Sequence, residues 1–266
     1  MTAAQAAPPP PVRPVRDRLF DLLVWGGLAV LLLISIGPVE LRNFPLLFTN
    51  AGNMGEFASG FLRPDFSRWT RLAGEMWETV QIALWGTALA VVFAVPFGLA
   101  SARNLAPVWV VQPVRRLMDV LRAVNELVIG VLFVTAVGLG PFAGVMALAL
   151  HTTGVLAKLF SEAVEAVDPR PVEGVRATGS GRLGEIVWGV LPQVAPLWTS
   201  YALYRFESNS RSATVLGLIG AGGIGQVLFD ALNGGQYDQA SAVVIVIIVA
   251  VTVIDLLSQT VRKRLL

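Results

Sequence analysis

The chain has 266 residues, of which 55% are hydrophobic and 14% are charged, with a net charge of +2. Soluble domains carry about 25% charged residues, so this composition excludes an ordinary water-soluble domain and favours an integral membrane protein. The chain has no cysteine and one histidine, His151, which excludes disulfides, thiolate metal sites and a His-rich zinc site. Neither lysine lies in a Walker A sequence, so we expect this chain to bind no metal or other cofactor, and any ATP to bind a partner.

Residues 1–18 begin with an Ala- and Pro-rich stretch that cannot pack a core, and we predict a disordered cytoplasmic tail. The hydrophobic run at 19–37 follows three arginines and lacks a cleavage site. It is therefore predicted to be an uncleaved transmembrane helix and not a signal peptide. Residues 38–76 are predicted to form an extracytoplasmic loop, whose fold the sequence leaves open.

A transmembrane helix needs about 20 mostly apolar residues. Five further stretches of about this length occur within 77–266, which we take as the core of the protein. They are 77–101, 122–139, 141–161, 194–212 and 239–258. The predicted fold class is all-α, a polytopic membrane protein with about six transmembrane helices. Small residues four apart, as in the Gly86–Ala90 and Gly98–Ala102 pairs, predict close helix packing.

Basic residues predict the orientation, because cytoplasmic loops carry an excess of Lys and Arg. With the N-terminus inside, most of the arginines and lysines lie in the tail, in the loops at 102–121 and 158–193, and at the C-terminus. Both termini are therefore predicted to be cytoplasmic. The segment 213–232 is apolar but broken by glycines, and it stays open whether it spans the membrane, re-enters it or lies at its surface.

The sequence GAGGIG matches the dinucleotide-binding sequence G-x-G-x-x-G at Gly220, Gly222 and Gly225. A Rossmann unit needs a helix and another strand after the loop. The residues that follow contain one long apolar run at 240–257 with basic residues behind it, so we reject the dinucleotide interpretation. Gly220, Gly222, Gly223 and Gly225 then either allow tight packing or form a gate or re-entrant loop of a transport pathway.

The cytoplasmic loop 162–193 is predicted to contain a short helix. Asp168 is a candidate N-cap, and Gly179 stands where the helix would end. A second short helix is predicted at about 182–190, ended by Pro192. These features fit an ordinary solvated surface helix as well as they fit a docking helix.

The stretch VEGVRATGSGRLGEIVWGVLP resembles the EAA loop of ABC-importer permeases, E-A-A-x3-G-x9-I-x-L-P. Four residues hold matching positions: Glu173, Gly179, Leu191 and Pro192. The departures are Gly174 and Val175 in place of the alanines and Gly189 in place of the isoleucine, and we expect the two glycines to weaken the docking helix. Other strings within 75–266, such as ELVIGVLFVTAVGLGPF and SATVLGLIGAGGIGQ, resemble the phosphonate importer permease family.

The resemblance implies a type I ABC importer permease fold in a bacterial inner membrane. It also implies a set of partners: a second copy of the chain, two cytoplasmic ATPase subunits that bind ATP and Mg²⁺, and an extracytoplasmic phosphonate-binding protein. It implies no nucleic acid. By the same resemblance, Glu173, Arg176 and Gly179 would contact the ATPase, and Leu191 and Pro192 would brace the joint.

A phosphonate-type oxyanion needs a water-filled path with cations or N–H donors to cross a membrane. Polar residues cluster in the stretch YRFESNSRSAT of the predicted fifth span. We take them as candidates for the substrate pathway: Arg205, Glu207, Asn209, Arg211, Ser212 and Thr214. For Arg205, a structural ion pair with Glu126 or Glu207 stays open as an alternative.

These features predict a transmembrane permease subunit without catalytic residues, serving an importer of phosphonate, phosphite or phosphate that is driven by ATP hydrolysis on a partner. Two alternatives stay open. A secondary transporter driven by an ion gradient would use His151, Glu126 or Asp255 as a relay. A membrane-embedded enzyme acting on a lipid phosphate would need clustered catalytic groups, which the sequence supplies poorly.

Overall fold

The computed structural model describes residues 15–49 and 51–265. This part of the chain divides between two compact units, Met1–Ala58 and Ser59–Leu266. Among the described residues there are helices, turns and no β-strand, which confirms the all-α class. The predicted tail at 1–14 lies outside the described residues. The first helix begins at Val15, so the remaining tail residues belong to that helix.

The first unit contains α1 (Val15–Ser35), whose apolar part, Leu19–Ser35, matches the predicted span at 19–37. Its described side chains are almost all exposed, as expected of a helix whose apolar surface faces lipid. A 3₁₀ turn (Leu41–Asn43), α2 (Leu46–Thr49) and α3 (Ala51–Phe61) follow, and α3 extends into the second unit. The segment predicted as a loop is therefore partly helical.

The second unit is a bundle of long helices, and a short helical hairpin at residues 169–190 is inserted between two of them. Its helices are α4 (Trp69–Ser101), α5 (Val108–Ala123), α6 (Glu126–Val137), α7 (Pro141–Glu165), α8 (Pro169–Ala177), α9 (Arg182–Gly184), α10 (Leu191–Gly217), α11 (Ile224–Asn233) and α12 (Tyr237–Leu265). A π-helix, Glu185–Val190, joins α9 to α10 without a break. The predicted break at Pro192 is wrong, because the helical backbone continues through this proline from the π-helix into α10.

Three of the described helices are long and apolar enough to cross a membrane, namely α4, α7 and α12. They contain the predicted spans 77–101, 141–161 and 239–258, which are thereby confirmed as long apolar helices. The predicted start of the core at 77 is late, because α4 already begins at Trp69.

The predicted span 122–139 is wrong as one continuous helix. It covers the junction of α5 and α6, which meet at an angle of 86°. Asn125 is the N-cap of α6, and its Oδ1 accepts a hydrogen bond from the N–H of Leu127 at 2.8 Å. The apolar residues on both sides favoured one continuous span, so this cap was not predicted. The predicted span 194–212 lies inside α10. This helix has 27 residues but is too polar to count among the helices that are apolar enough to cross a membrane.

Helices α4 and α7 approach each other closely at two glycines. A Cβ on Gly86 would lie 2.7 Å from the Cβ of Leu148, and one on Gly98 would lie 2.8 Å from the Cβ of Phe160. Real Cβ atoms do not come this near, so only glycine permits the contact. Close packing of this kind drives helix association in lipid, and the packing predicted from the small residues of α4 is confirmed.

The core of the bundle has three parts along its length. Nearest the loop 162–193, the rings of Phe160 and Trp198 stack with centroids 4.4 Å apart, and Trp198 Nε1–H donates to the carbonyl oxygen of Phe160 at 3.3 Å. The middle part surrounds Leu148 and Leu216, and the third packs α4 against α11 and α12. The stack joins α7 to the first turns of α10, directly behind the hairpin.

We expect Gly98→Ala to lower the stability of the chain, because its methyl group would meet the Cβ of Phe160. Overpacking of this kind costs about 1–3 kcal/mol. Gly74→Ala is a matched control on the same helix: no heavy atom lies within 4 Å of its Cβ position. Alanine there should stabilise the helix by about 0.5–1 kcal/mol. Thermal unfolding in detergent measures both, and equal melting temperatures for the two variants would contradict the packing argument.

Candidate functional site

The loop 162–193 presents α8 as an exposed helix. Asp168 caps it, since its Oδ1 accepts a hydrogen bond from the N–H of Arg170 at 3.0 Å, and Pro169 is its first residue. Gly179 has a φ of +79°, a conformation that favours glycine and turns the chain just after the helix ends. The predicted helix and both of its ends are confirmed. No residue of α8 is buried, so its surface is open to a partner.

The hairpin rests on the bundle through the π-helix. A Cβ on Gly189 would lie 3.0 Å from the Cα of Val172 in α8, so the missing side chain lets the two segments touch. We expected Gly189 to weaken this loop, and at this position that expectation is wrong, because a larger residue would push α8 away. Of the two predicted bracing residues, Leu191 packs into the core part behind the hairpin, whereas Pro192 is exposed.

An ion pair closes the hairpin from the other side. Arg176 Nε donates to Glu185 Oε1 at 2.8 Å, and Arg176 Nη2 donates to Glu185 Oε2 at 3.0 Å. These hydrogen bonds lower the pKa of Glu185 below its usual value. The guanidinium of Arg176 is thus engaged inside the loop, while Glu173 on the same helix is exposed.

Gln193 fastens the start of α8 to the start of α10. Its Oε1 accepts a hydrogen bond from the N–H of Asp168 at 3.0 Å. Its Nε2 donates to the carbonyl oxygens of Asp168 at 3.2 Å and of Gly189 at 2.7 Å. Sequence reasoning missed this residue, because a glutamine at the start of a helix gives no sign of which backbone groups lie opposite it.

Inside the bundle, Asn209 links three helices. Its Nδ2 donates to Thr87 Oγ1 of α4 at 2.9 Å, while its Oδ1 accepts from Thr152 Oγ1 of α7 at 3.1 Å and from Arg205 Nη2 at 3.3 Å. Asn209 and Thr152 are fully buried. A polar side chain away from water must find protein partners, so this network fixes both the packing of α10 and the position of Arg205.

The guanidinium of Arg205 retains unused hydrogen-bonding capacity. Its Nε is buried and has no hydrogen-bond partner among the described residues. Within the described part of the chain, no ion pair of 4.0 Å or less includes Arg205. It therefore does not form the structural pair with Glu126 or with Glu207 that the sequence left open. It is a half-buried cation with a free N–H, which is the chemistry that an oxyanion requires.

Glu126 holds the bend between α5 and α6. Its Oε1 accepts from Ser212 Oγ of α10 at 2.8 Å, and its Oε2 lies 3.7 Å from His151 Nε2 of α7. His151 Nδ1 lies 2.9 Å from the carbonyl oxygen of Val124 at the bend, and this contact requires Nδ1 to be the donor. Ser212, a predicted pathway residue, therefore has its hydroxyl engaged with Glu126.

Two other predicted pathway residues belong to a chain of ion pairs between α10 and α12. Glu207 is 9% exposed and lies 2.9 Å from Arg262 and 3.3 Å from Arg211. Arg211 also lies 3.1 Å from Asp255. Removing one partner would leave a buried charge uncompensated. The geometry of Glu207 and Arg211 therefore fits helix docking, and it distinguishes them from the unpaired Arg205.

The glycine loop is a turn between α10 and α11 that is tied to α4. Gly220, Gly222 and Gly223 have φ angles of +84°, +82° and +78°, which L side chains rarely adopt. The N–H of Gly223 donates to Glu78 Oε1 at 3.0 Å, and the next N–H donates to Thr79 Oγ1 at 2.8 Å. The loop joins two helices and no strand precedes it among the described residues, in agreement with rejecting a dinucleotide site.

Gly225 differs from the other three glycines because it lies within α11. A Cβ there would collide with the carbonyl oxygen of Thr214, and it would lie 3.0 Å from the Cα of Gly217. Thr214 is itself buried, and its hydroxyl donates to the carbonyl oxygen of Ser210 at 3.2 Å. Tight packing therefore accounts for Gly225, whereas the other three shape the turn.

We expect the hairpin to loosen at low pH. Because the folded pKa of Glu185 lies below the unfolded value of about 4.3, its pair with Arg176 stabilises the hairpin fully above that pH. The stabilisation is lost as the pH falls through the folded pKa. Glu185→Gln should loosen the hairpin already at pH 7, as faster hydrogen–deuterium exchange of α8 amides. Glu162→Gln, which removes an exposed helical pair of α7, is the control. Unchanged exchange in Glu185→Gln would contradict the role of the pair.

Comparisons with known proteins agree with this architecture. The model of one family, described as binding-protein-dependent transport system inner membrane component, matches residues 94–266. That range contains α8, Arg205 and the glycine loop. The phosphite transport system permease protein of Stutzerimonas stutzeri is 40% identical over 233 residues, which cover 87% of this chain and 85% of the relative.

A putative cryptic phosphonate transport system permease protein of Escherichia coli is 61% identical over 119 residues, covering 45% of this chain and 98% of the relative. Among solved structures, an inward-facing methionine ABC transporter superposes with a TM-score of 0.67 at 18% identity, over 75% of this chain and 99% of that one. The bundle therefore has the fold of an ABC importer permease. The family match and the identity to the phosphite permease together show that this chain belongs to the binding-protein-dependent transport family, as one of its inner membrane permease components.

Proposed function

We propose that this permease subunit serves an ATP-driven importer of phosphonate-type oxyanions, namely phosphonate, phosphite or phosphate. The observation that carries the proposal is α8, a helix of nine residues with no buried residue, in a chain of the binding-protein-dependent transport family. The phosphite and phosphonate names of its relatives support the class of ligand. The proposed partners are a second copy of the chain, two ATPase subunits that bind ATP and Mg²⁺, and an extracytoplasmic phosphonate-binding protein.

In this proposal α8 docks in a cleft of the ATPase on the cytoplasmic side, where both chain termini also lie. Glu173 is exposed on α8 and offers a carboxylate to the partner, whereas Arg176 shapes the hairpin through Glu185. Gly179 allows the sharp turn that leaves the helix end accessible. ATP binding closes the ATPase subunits, the α8 helices move together, and the cavity between the permeases opens to the binding protein.

Arg205 is the cation that we propose for the substrate pathway. Its buried Nε without a partner and the absence of a paired carboxylate within the described residues support this role. Asn209 positions the guanidinium of Arg205, because its Oδ1 accepts a hydrogen bond from Arg205 Nη2. An oxyanion can accept charge-assisted hydrogen bonds from such a group, and a half-buried cation attracts an anion more strongly than a cation in water does. The turn formed by Gly220, Gly222 and Gly223 is proposed as a gate beside this pathway.

The two alternative functions have less support. A gradient-driven transporter does not need the exposed docking helix, and its proposed relay residues are engaged: Asp255 with Arg211, and Glu126 with Ser212. Membership of a binding-protein-dependent family also favours a partner ATPase over an ion gradient. An enzyme acting on a lipid phosphate would need a cluster of catalytic groups, and this family is a transport component.

We expect ATP hydrolysis by the assembled complex in proteoliposomes to rise when binding protein loaded with methylphosphonate is added. Glu173→Ala combined with Gly179→Asp should abolish this stimulation, because it removes the docking carboxylate and places a side chain at a φ of +79°. Gly174→Ala is the matched control on α8, since its Cβ position is open. Hydrolysis that ignores the loaded binding protein, or no assembly with an ATPase, would overturn the proposal.

Arg205→Gln should reduce ligand uptake at least about tenfold, the loss expected when a desolvated charged partner is removed. Arg205→Lys keeps the charge and should retain part of the uptake. Arg116→Gln, which removes the same charge from a side chain that is 80% exposed, is the control. Uptake of radiolabelled phosphonate, phosphite and phosphate by proteoliposomes measures the effect and ranks the ligands. Full uptake by Arg205→Gln would remove Arg205 from the pathway.

A further inference from the structure

We infer that Gln193 is a positioning residue that makes α8 and α10 move as one rigid body, so that a displacement of α8 reaches the level of Arg205. The use of this motion in transport rests on the proposed function. The rigid attachment itself does not, because it follows from hydrogen bonds within this chain.

The attachment is a two-point grip on the backbone of one residue. The side-chain amide of Gln193 accepts from the N–H of Asp168 at 3.0 Å and donates to the carbonyl oxygen of the same residue at 3.2 Å. Asp168 is the N-cap of α8. Two bonds to one peptide residue fix the orientation of the helix start as well as its distance, which one bond cannot do.

The third hydrogen bond of Gln193 stiffens the boundary between the π-helix and α10, where the continuous helix would otherwise bend. Gln193 Nε2 also donates to the carbonyl oxygen of Gly189 at 2.7 Å, across the boundary between the π-helix and α10. Helices kink at π-helical turns and at proline; Pro192 lies next to this boundary, and Pro196 lies about one turn further along α10. A side chain that spans the boundary opposes such bending.

The other attachments of α8 are weaker or do not set its direction. The pair of Arg176 with Glu185 holds the C-terminal end of α8, so it does not fix the start of the helix. The contact of Val172 with Gly189 is apolar and allows sliding. Val172 packs against the core part behind the hairpin but is only partly buried, and no residue of α8 is fully buried, so apolar burial holds the helix weakly. Gln193, which is half-buried, is therefore the attachment that defines the angle of α8.

The continuous helix formed by the π-helix and α10 transmits a displacement of α8 into the bundle. The helix is continuous from Arg182 to Gly217, and Arg205 lies twelve residues beyond Gln193, or about 18 Å along the axis at 1.5 Å per residue. At that level Asn209 connects this continuous helix to α4 and α7. A displacement of α8 is therefore delivered to the hydrogen bonds that position Arg205, provided that the grip of Gln193 holds.

The first test measures rigidity. The chain lacks cysteine, so Ala177→Cys and Thr199→Cys, both at exposed positions, place one spin label on α8 and one on α10. Electron–electron resonance on the full chain in detergent should give one narrow distance. Gln193→Met, of similar size but without the hydrogen bonds, should broaden it. Gln112→Met, the same change at an exposed position of α5, should leave it narrow. A narrow distance in Gln193→Met would overturn the rigid attachment.

The second test measures coupling in proteoliposomes of the assembled transporter. In Gln193→Met, methylphosphonate uptake per ATP hydrolysed should fall at least about fivefold, the factor that corresponds to losing about 1 kcal/mol of hydrogen bonding. ATP hydrolysis itself should persist. An equal loss of uptake and hydrolysis would indicate damage to the fold and would overturn the inference, as would an unchanged ratio.

A second variant keeps the inference testable if Gln193→Met does not fold. Gln193→Glu has the same length, but it loses both donated bonds and places a carboxylate against two carbonyl oxygens, so it should show the same broadening and the same fall in uptake per ATP. The proposed function fails separately, when the parent complex shows no stimulation by binding protein. In that case the spin-label distance still decides whether Gln193 fixes α8.

Discussion

The close approach of α4 to α7 at Gly86 and Gly98 is the contact on which the bundle depends. Lipid supplies no hydrophobic force between helices, so association relies on near contact of backbones and on buried hydrogen bonds. Thr87 follows Gly86 directly, and the near approach brings its hydroxyl within 2.9 Å of Asn209 on α10. A bulkier residue at the glycine would separate the helices and break the link that holds the third helix in place.

The polar residues of α10 divide into two groups once their partners are known. Glu207 and Arg211 bind the charges of α12, and the pair of the buried Glu207 with Arg262 is costly to break. Arg205 keeps an unused N–H and is positioned by a neutral amide. Arg211 therefore holds helices together, whereas Arg205 has a free N–H for the anion that we propose it attracts.

Two short motifs show how far local sequence carries. GAGGIG matches a dinucleotide-binding loop, yet it forms a turn between helices, with positive φ at three glycines and a carboxylate of α4 on its N–H group. The loop that resembles the EAA loop has its cap at Asp168 and its turn at Gly179, where the sequence predicts them. The difference is that caps and turns are local, whereas the role of a glycine-rich loop depends on what precedes and surrounds it.

Composition and apolar run length determined the membrane class, the all-α fold and the helices α4, α7 and α12, because each depends on residues adjacent in the chain. The bend at Asn125, the continuity of the helix through Pro192 and the contact at Gly189 were decided only by tertiary structure. So were the grip of Gln193 on Asp168 and the unpaired state of Arg205. Each of these depends on which groups from distant segments come within hydrogen-bonding or van der Waals distance. That is a property of helix packing, and no spacing within one segment encodes it.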